Sequence, residues 1–107
     1  MQSVFADAVV KFVVKTSAQY SNVQRIWIFG SRAKGNATLR SDYDLGFEWI
    51  EPAVGTWGEL TGILREKNPT LCTLDIVRLD QVSNELQRRI LGEGILLYDN
   101  KSQAKLR

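Results

Sequence analysis

The chain contains no histidine. That absence excludes Ser-His-Asp and Cys-His catalysis and any zinc site built on imidazole. Its one cysteine, Cys72, has no partner for an internal disulfide, and the thiol reads as a small core side chain in a reducing cytosol. No apolar run approaches the roughly 20 residues of a membrane span. The apolar stretch near the N-terminus carries Asp7 and lacks a basic leader, which is not the form of a signal peptide. A cytoplasmic location away from membrane is therefore expected. Neither sign of charge dominates: the net charge is +2, too small to argue for direct nucleic-acid binding. There is no internal repeat, low-complexity tract or linker. The 107 residues, 44% of them hydrophobic, fit a single domain over 1–107 with a modest core. The ordered part is expected over about 3–98, with a polar tail at 99–107.

What is present is concentrated between Ile26 and Glu48. The continuous apolar centre of Val23 to Phe29 predicts a strand covered on both faces. Gly30-Ser31 follows, where small residues let backbone approach a ligand. A second strand, from about Tyr43 to Ile50, opens on Asp42 and Asp44. Two residues apart in extended chain, these carboxylates share one face, and Tyr43, Leu45, Phe47 and Trp49 share the other. Paired carboxylates repel each other in a dry site and become sensible around a divalent cation. Mg²⁺ suits them, since it binds through one or two carboxylates plus substrate phosphates. The Gly30-Ser31 turn, leading into a short helix, offers backbone N–H groups to a phosphate.

Gly30-Ser31, ten intervening residues and Asp42-Tyr43-Asp44, within the wording Gly-Ser-Arg-Ala-Lys-Gly and Ser-Asp-Tyr-Asp-Leu, resemble the polymerase β-type nucleotidyltransferases, and in spacing their small single-domain branch. On average composition a Gly-Ser and Asp-x-Asp at fixed spacing arises by chance in about one chain in a thousand of this length. The resemblance spans about residues 5–98. It implies an α/β (α+β) fold, a small mixed sheet with helices packed on one face and the catalytic face opposite. It also implies a third carboxylate, placed at Asp75 in Thr-Leu-Asp-Ile-Val, where an unpaired buried charge would be costly. Asp80 is the alternative, though it also reads as the N-cap of the last helix.

The resemblance further implies transfer of a nucleoside monophosphate, AMP from ATP, to a hydroxyl. Asp42, Asp44 and Asp75 would hold two Mg²⁺ ions, and Gly30, Ser31 and Arg32 would contact the nucleotide. Minimal members are often paired with a small helical HEPN-type toxin, for which they act as antitoxin by attaching AMP to a tyrosine. Two other readings stay open: transfer to a small hydroxyl compound whose pocket a partner chain completes, and a binding antitoxin without catalysis.

The remaining chain supplies the frame. Residues 3–19 read as a helix with Ser3 as cap, and Asp7 facing outward toward Lys11. Ser41 reads as a cap of the loop before the second strand, and Glu48 as rim. Pro52 and Gly55 end that segment. Thr56 to Glu59 has capping-box form and opens a helix to about Lys67, stopped by Asn68-Pro69. A third strand is expected over Leu71 to Leu79, a helix over about Gln81 to Leu91 burying Val82, Leu86 and Ile90, and a last short strand over Ile95 to Tyr98.

Overall fold

A computed structural model describes residues 3–51 and 56–101. Among them, β1 (Val23–Phe29), β2 (Tyr43–Trp49), β3 (Leu74–Arg78) and β4 (Ile95–Asp99) form one sheet in the order β3-β2-β1-β4. β1 runs antiparallel to β2 and β4, while β2 and β3 are parallel. The sheet is therefore mixed, as expected. The helices are α1 (Ala8–Ser17), α2 (Ser31–Lys34), α3 (Trp57–Glu66) and α4 (Asn84–Glu93). Pro52 and Gly55 lie outside the described residues, as does the tail beyond Lys101.

The period-two pattern of β2 does what it predicts. Tyr43, Leu45, Phe47 and Trp49 are all buried, against Val9, Val10 and Val13 of α1 and Leu60 and Leu64 of α3. Each such side chain contributes about 1.5–3 kcal/mol by leaving water. Half-buried Trp57 meets Phe47 and Trp49 edge-on, at ring separations of 5.5 and 5.3 Å, a favoured aromatic geometry.

α1 and α3 thus cover one face, but the helices are not confined to it as expected: α4 takes the middle of the other. There Ile90 and Leu79 pack with Trp27, flanked by Phe29, Val77 and Leu86. Gly46 makes this close approach possible: a Cβ at that position would lie 3.2 Å from Ile90 Cγ2. Because α4 is only ten residues long, it leaves both ends of that face open. One end carries Asp44 and Asp75, paired across β2 and β3. The other carries Glu48, bound to Arg25 at 3.3 Å, so Glu48 is rim as expected.

Several boundaries move. The first helix starts later than expected: Val4–Ala6 is a 3₁₀ turn capped by Ser3, and Asp7 is the N-cap of α1. Asp7 leaves the helical surface for that reason and does not stand beside Lys11 as a surface pair. The third strand begins only at Leu74, and Leu71 is fully exposed. Asp80 is not the cap of α4. It belongs to a 3₁₀ turn, Leu79–Gln81, and Ser83 caps α4 by accepting from the Leu86 N–H. Val82 stays outside the buried core, while Ile90 is fully buried. Cys72 is half-buried in a loop and donates to the Leu39 carbonyl at 3.1 Å, so it ties two loops together. Asn100 is held rather than free, donating to the Val23 carbonyl at 3.3 Å.

Candidate active site

The site forms where β1 ends and β2 begins, since antiparallel pairing sets Phe29 opposite Asp44. The chain leaves β1 through Gly30, at φ 74° and ψ −152°, a conformation open only to glycine without strain. The geometry has a second reason for glycine: a Cβ here would collide with the Asp44 carboxylate oxygen. Ser31 then starts α2, a single turn closed by Gly35 in the left-handed region. The first N–H groups of any helix lack partners within it, and here they begin next to Asp44.

Asp44 is partly buried and Asp42 and Asp75 are exposed. The burial cost offered for Asp75 does not apply, because β3 has one open side at that point: Leu74 and Ile76 point inward and Asp75 outward. The Asp44 carboxyl is pushed above its ordinary range, first by burial, then by the charges of Asp75 and Asp42, and by a hydrogen bond with Asp75. Asp75, paired with Asp44 across the neighbouring strands, and Asp42 both act on Asp44 through their charges. Among the described residues no three such groups stand close enough to form a ready metal cage. Mg²⁺ needs only one or two carboxylates when phosphate supplies the rest. The donor set is hard oxygen and carries surplus negative charge, so it fits a divalent cation. Asp80 faces elsewhere, bound by Arg78 at 2.6 Å, and that hydrogen bond is the main reason its carboxyl sits below the ordinary range.

Arg32 has an engagement the sequence did not reveal. Its Nε and Nη2 donate to the Ser41 carbonyl at 3.2 and 2.8 Å, and Nη2 reaches the Thr38 carbonyl at 3.3 Å. Its guanidinium stacks 3.7 Å from the Tyr43 ring centre, and Nη1 lies 3.9 Å from Asp7 Oδ2. The side chain is 14% exposed. All of these contacts are with protein. Tyr43 donates to Asp7 Oδ2 at 2.8 Å, while Asp7 Oδ1 accepts from the N–H groups of Val9 and Val10. Ser41 accepts from the Thr38 N–H at 2.9 Å, the capping role expected of it. Asp7 and Tyr43 thus join the site's support. The hint in the sequence is Asp7 itself, a capping residue type one step before the apolar periodicity of α1.

A mixed sheet whose strand-to-helix glycine turn abuts a strand-borne acidic pair defines a phosphate- and cation-handling transferase class. The polymerase β nucleotidyltransferase family model matches residues 11–103. The chain belongs to that family and is a nucleotidyltransferase. Solved structures show the same fold. A chain of a toxin–antitoxin complex with AMP-PNP superposes with a TM-score of 0.68 at 22% identity, covering 91% of this chain and 78% of that one. A chain of the MntA–HepT toxin–antitoxin complex gives 0.61 at 19%, covering 92% and 76%. A chain of the tri-AMPylated Shewanella oneidensis HEPN toxin complex with its MNT antitoxin gives 0.59 at 18%, covering 92% and 76%. No curated protein matches by sequence. Among the described residues no helix is long and apolar enough to cross a membrane.

Proposed function

We propose that this chain transfers AMP from ATP to a tyrosine hydroxyl of a small HEPN-type partner, and so acts as an antitoxin. One observation carries the catalytic part: Gly30 packs directly on the Asp44 carboxylate, which sets the phosphate turn against the acidic pair. Support for the acceptor comes from a similar complex whose HEPN toxin is AMPylated. Support for the nucleotide comes from a similar complex holding AMP-PNP.

The N–H groups at Gly30-Ser31 and the Ser31 hydroxyl hold the triphosphate. Asp42, Asp44 and Asp75 would hold Mg²⁺, as two ions. When bound, Mg²⁺ neutralises triphosphate charge and eases deprotonation of the attacking hydroxyl. Asp75, on the neighbouring strand to Asp44, would receive the proton of the incoming hydroxyl. The hydroxyl oxygen bonds to the α-phosphorus, the α–β bridging P–O bond breaks, and pyrophosphate leaves with those electrons. The chain's contribution is positioning and electrostatics, which require no histidine.

The test is transfer from α-labelled ATP with Mg²⁺ into a lysate of the native host, against an Asp42→Asn, Asp44→Asn control. The expected result is label in one small protein band, absent from the control, with AMP on tyrosine by mass spectrometry. Label confined to small molecules overturns the protein acceptor. No label with any of the four nucleotides overturns catalysis and leaves an antitoxin acting by contact.

A further inference from the structure

We propose that Arg32, Tyr43 and Asp7 form a positioning clamp that sets Asp42 and Asp44 against the phosphate turn. The inference rests on the reading of Asp42 and Asp44 as metal-holding residues. It assigns Arg32 to the acidic pair rather than to the nucleotide.

Both sides of Asp42 are gripped. On the N-terminal side, Arg32 binds the Ser41 carbonyl through two donors, at 3.2 and 2.8 Å, and the Thr38 carbonyl at 3.3 Å. On the C-terminal side its guanidinium carbon lies 3.7 Å from the ring centre of Tyr43, the residue between the two aspartates. Tyr43 is held twice more: its hydroxyl donates to Asp7 at 2.8 Å, and its N–H donates to the Thr73 carbonyl of the loop leading into β3. Asp7 is itself fixed by the first turn of α1. Tyr43 and Asp44 point to opposite faces of β2, so pinning the ring fixes the direction of the Asp44 carboxylate, and Asp42, just ahead of the strand, is held through the backbone on either side of it. Arg32 directly follows Ser31, so one side chain couples the phosphate turn to the acidic strand. Lysine cannot reproduce this, because it lacks both the planar fork and the stacking face.

The experiment compares the wild type with Arg32→Lys, Tyr43→Phe and Asp44→Asn. All are measured well below their unfolding temperatures, with near-UV circular dichroism showing native packing. Mn²⁺ is titrated into each chain and free Mn²⁺ is followed by electron paramagnetic resonance. ATP kinetics with the labelled acceptor are measured in parallel. Supporting residues around metal ligands typically change metal affinity or activity 10–100-fold. The expectation for Arg32→Lys and Tyr43→Phe is an apparent Mn²⁺ affinity and a kcat each lower by about 10-fold, with KM for ATP changed less than about twofold. Folded variants with wild-type Mn²⁺ affinity and kcat, differing only in Tm, overturn the clamp. A raised KM for ATP with unchanged Mn²⁺ affinity also overturns it and returns Arg32 to the nucleotide. A wild type that takes up Mn²⁺ no better than Asp44→Asn overturns the clamp together with the metal site. A wild type that binds Mn²⁺ but transfers nothing overturns the transfer reading alone, and the Mn²⁺ comparison still decides the clamp.

Discussion

Gly30 and Asp44 are in contact across the β1–β2 boundary, and the space between them is too small for a methyl group. The backbone at Gly30 is also in a positive-φ conformation. Gly30→Ala therefore meets two penalties, a strained backbone of about 1–3 kcal/mol in a region essentially reserved for glycine, and a collision with a candidate metal-holding carboxylate. Gly35 serves as the matched control. Its φ is +80° but nothing lies within 4 Å of where a Cβ would stand. Gly35→Ala is expected to lose about 1–2 kcal/mol of stability and keep its transfer rate. Gly30→Ala is expected to lose at least about 100-fold in transfer, the scale of displacing a group that stabilises developing charge. Chemical denaturation and α-labelled ATP turnover, run on both variants, check the contrast.

Asp44 sets stability against function. Its carboxyl is raised by burial and then by the neighbouring charges of Asp75 and Asp42, so in the metal-free chain folding favours the protonated acid. The contribution to stability is fully present below the unfolded pKa and is lost as pH rises through the folded value. Asp44→Asn supplies a neutral group of similar shape that can still hydrogen-bond Asp75. The variant is expected to melt at a higher temperature than the wild type at pH 7 without metal. That advantage should shrink as the pH is lowered through the acid range. Transfer should fall by at least about 100-fold. Thermal melts at several pH values in a chelator, beside turnover assays with Mg²⁺, check both halves.

The third carboxylate is decided by comparing Asp75 with Asp80. Asp75 is paired with Asp44 across β2 and β3, whereas Asp80 is locked to Arg78 at 2.6 Å. Asp75→Asn is expected to lose transfer by about 100-fold or more with little change in Tm. Asp80→Asn is expected to keep transfer within about twofold and to cost at most about 1 kcal/mol, since its side chain is 56% exposed and surface ion pairs are worth little. Equal losses in the two variants would remove Asp75 from the assignment.

These residues also mark where sequence reasoning stops. β2 was legible because its alternation of Asp44, Gly46 and Glu48 with Tyr43, Leu45, Phe47 and Trp49 encodes two faces directly, and all four apolar members are buried. Gly30-Ser31 was legible because few residue types tolerate such a turn. Asp75 was placed correctly beside β2 for a reason that does not hold: the apolar run around it suggested burial, but parallel pairing with β2 turns its side chain outward. Asp7 was misread because a 3₁₀ turn and a helix leave similar apolar spacing over a few residues, and only the backbone break at Asp7 separates them. The partners of Arg32 were out of reach because they depend on how the Thr38–Ser41 loop folds back, which no local pattern specifies. α4 over Gly46 is a similar case, since a glycine inside a strand signals close approach without saying of what.

Tyr43 gives a prediction in the alkaline range. Burial, followed by its hydrogen bond to Asp7 and the charge of that carboxylate, pushes its phenol from 10.0 up to about 12. A group whose folded pKa is raised contributes stability that is complete below its unfolded value and is lost as pH rises through the folded value. The protein is therefore expected to hold its stability up to about pH 10 and lose it between about pH 10 and 12. Tyr43→Phe lacks the titrating hydroxyl. It should start less stable at neutral pH, by about 1.5–3 kcal/mol for one lost hydrogen bond to a charged acceptor, and show a shallower decline across that window. Denaturant midpoints at pH 8, 10 and 11 for both chains measure the difference, and phenolate absorbance reports the same group directly. Parallel declines in the two chains would mean that Tyr43 is not the group being titrated.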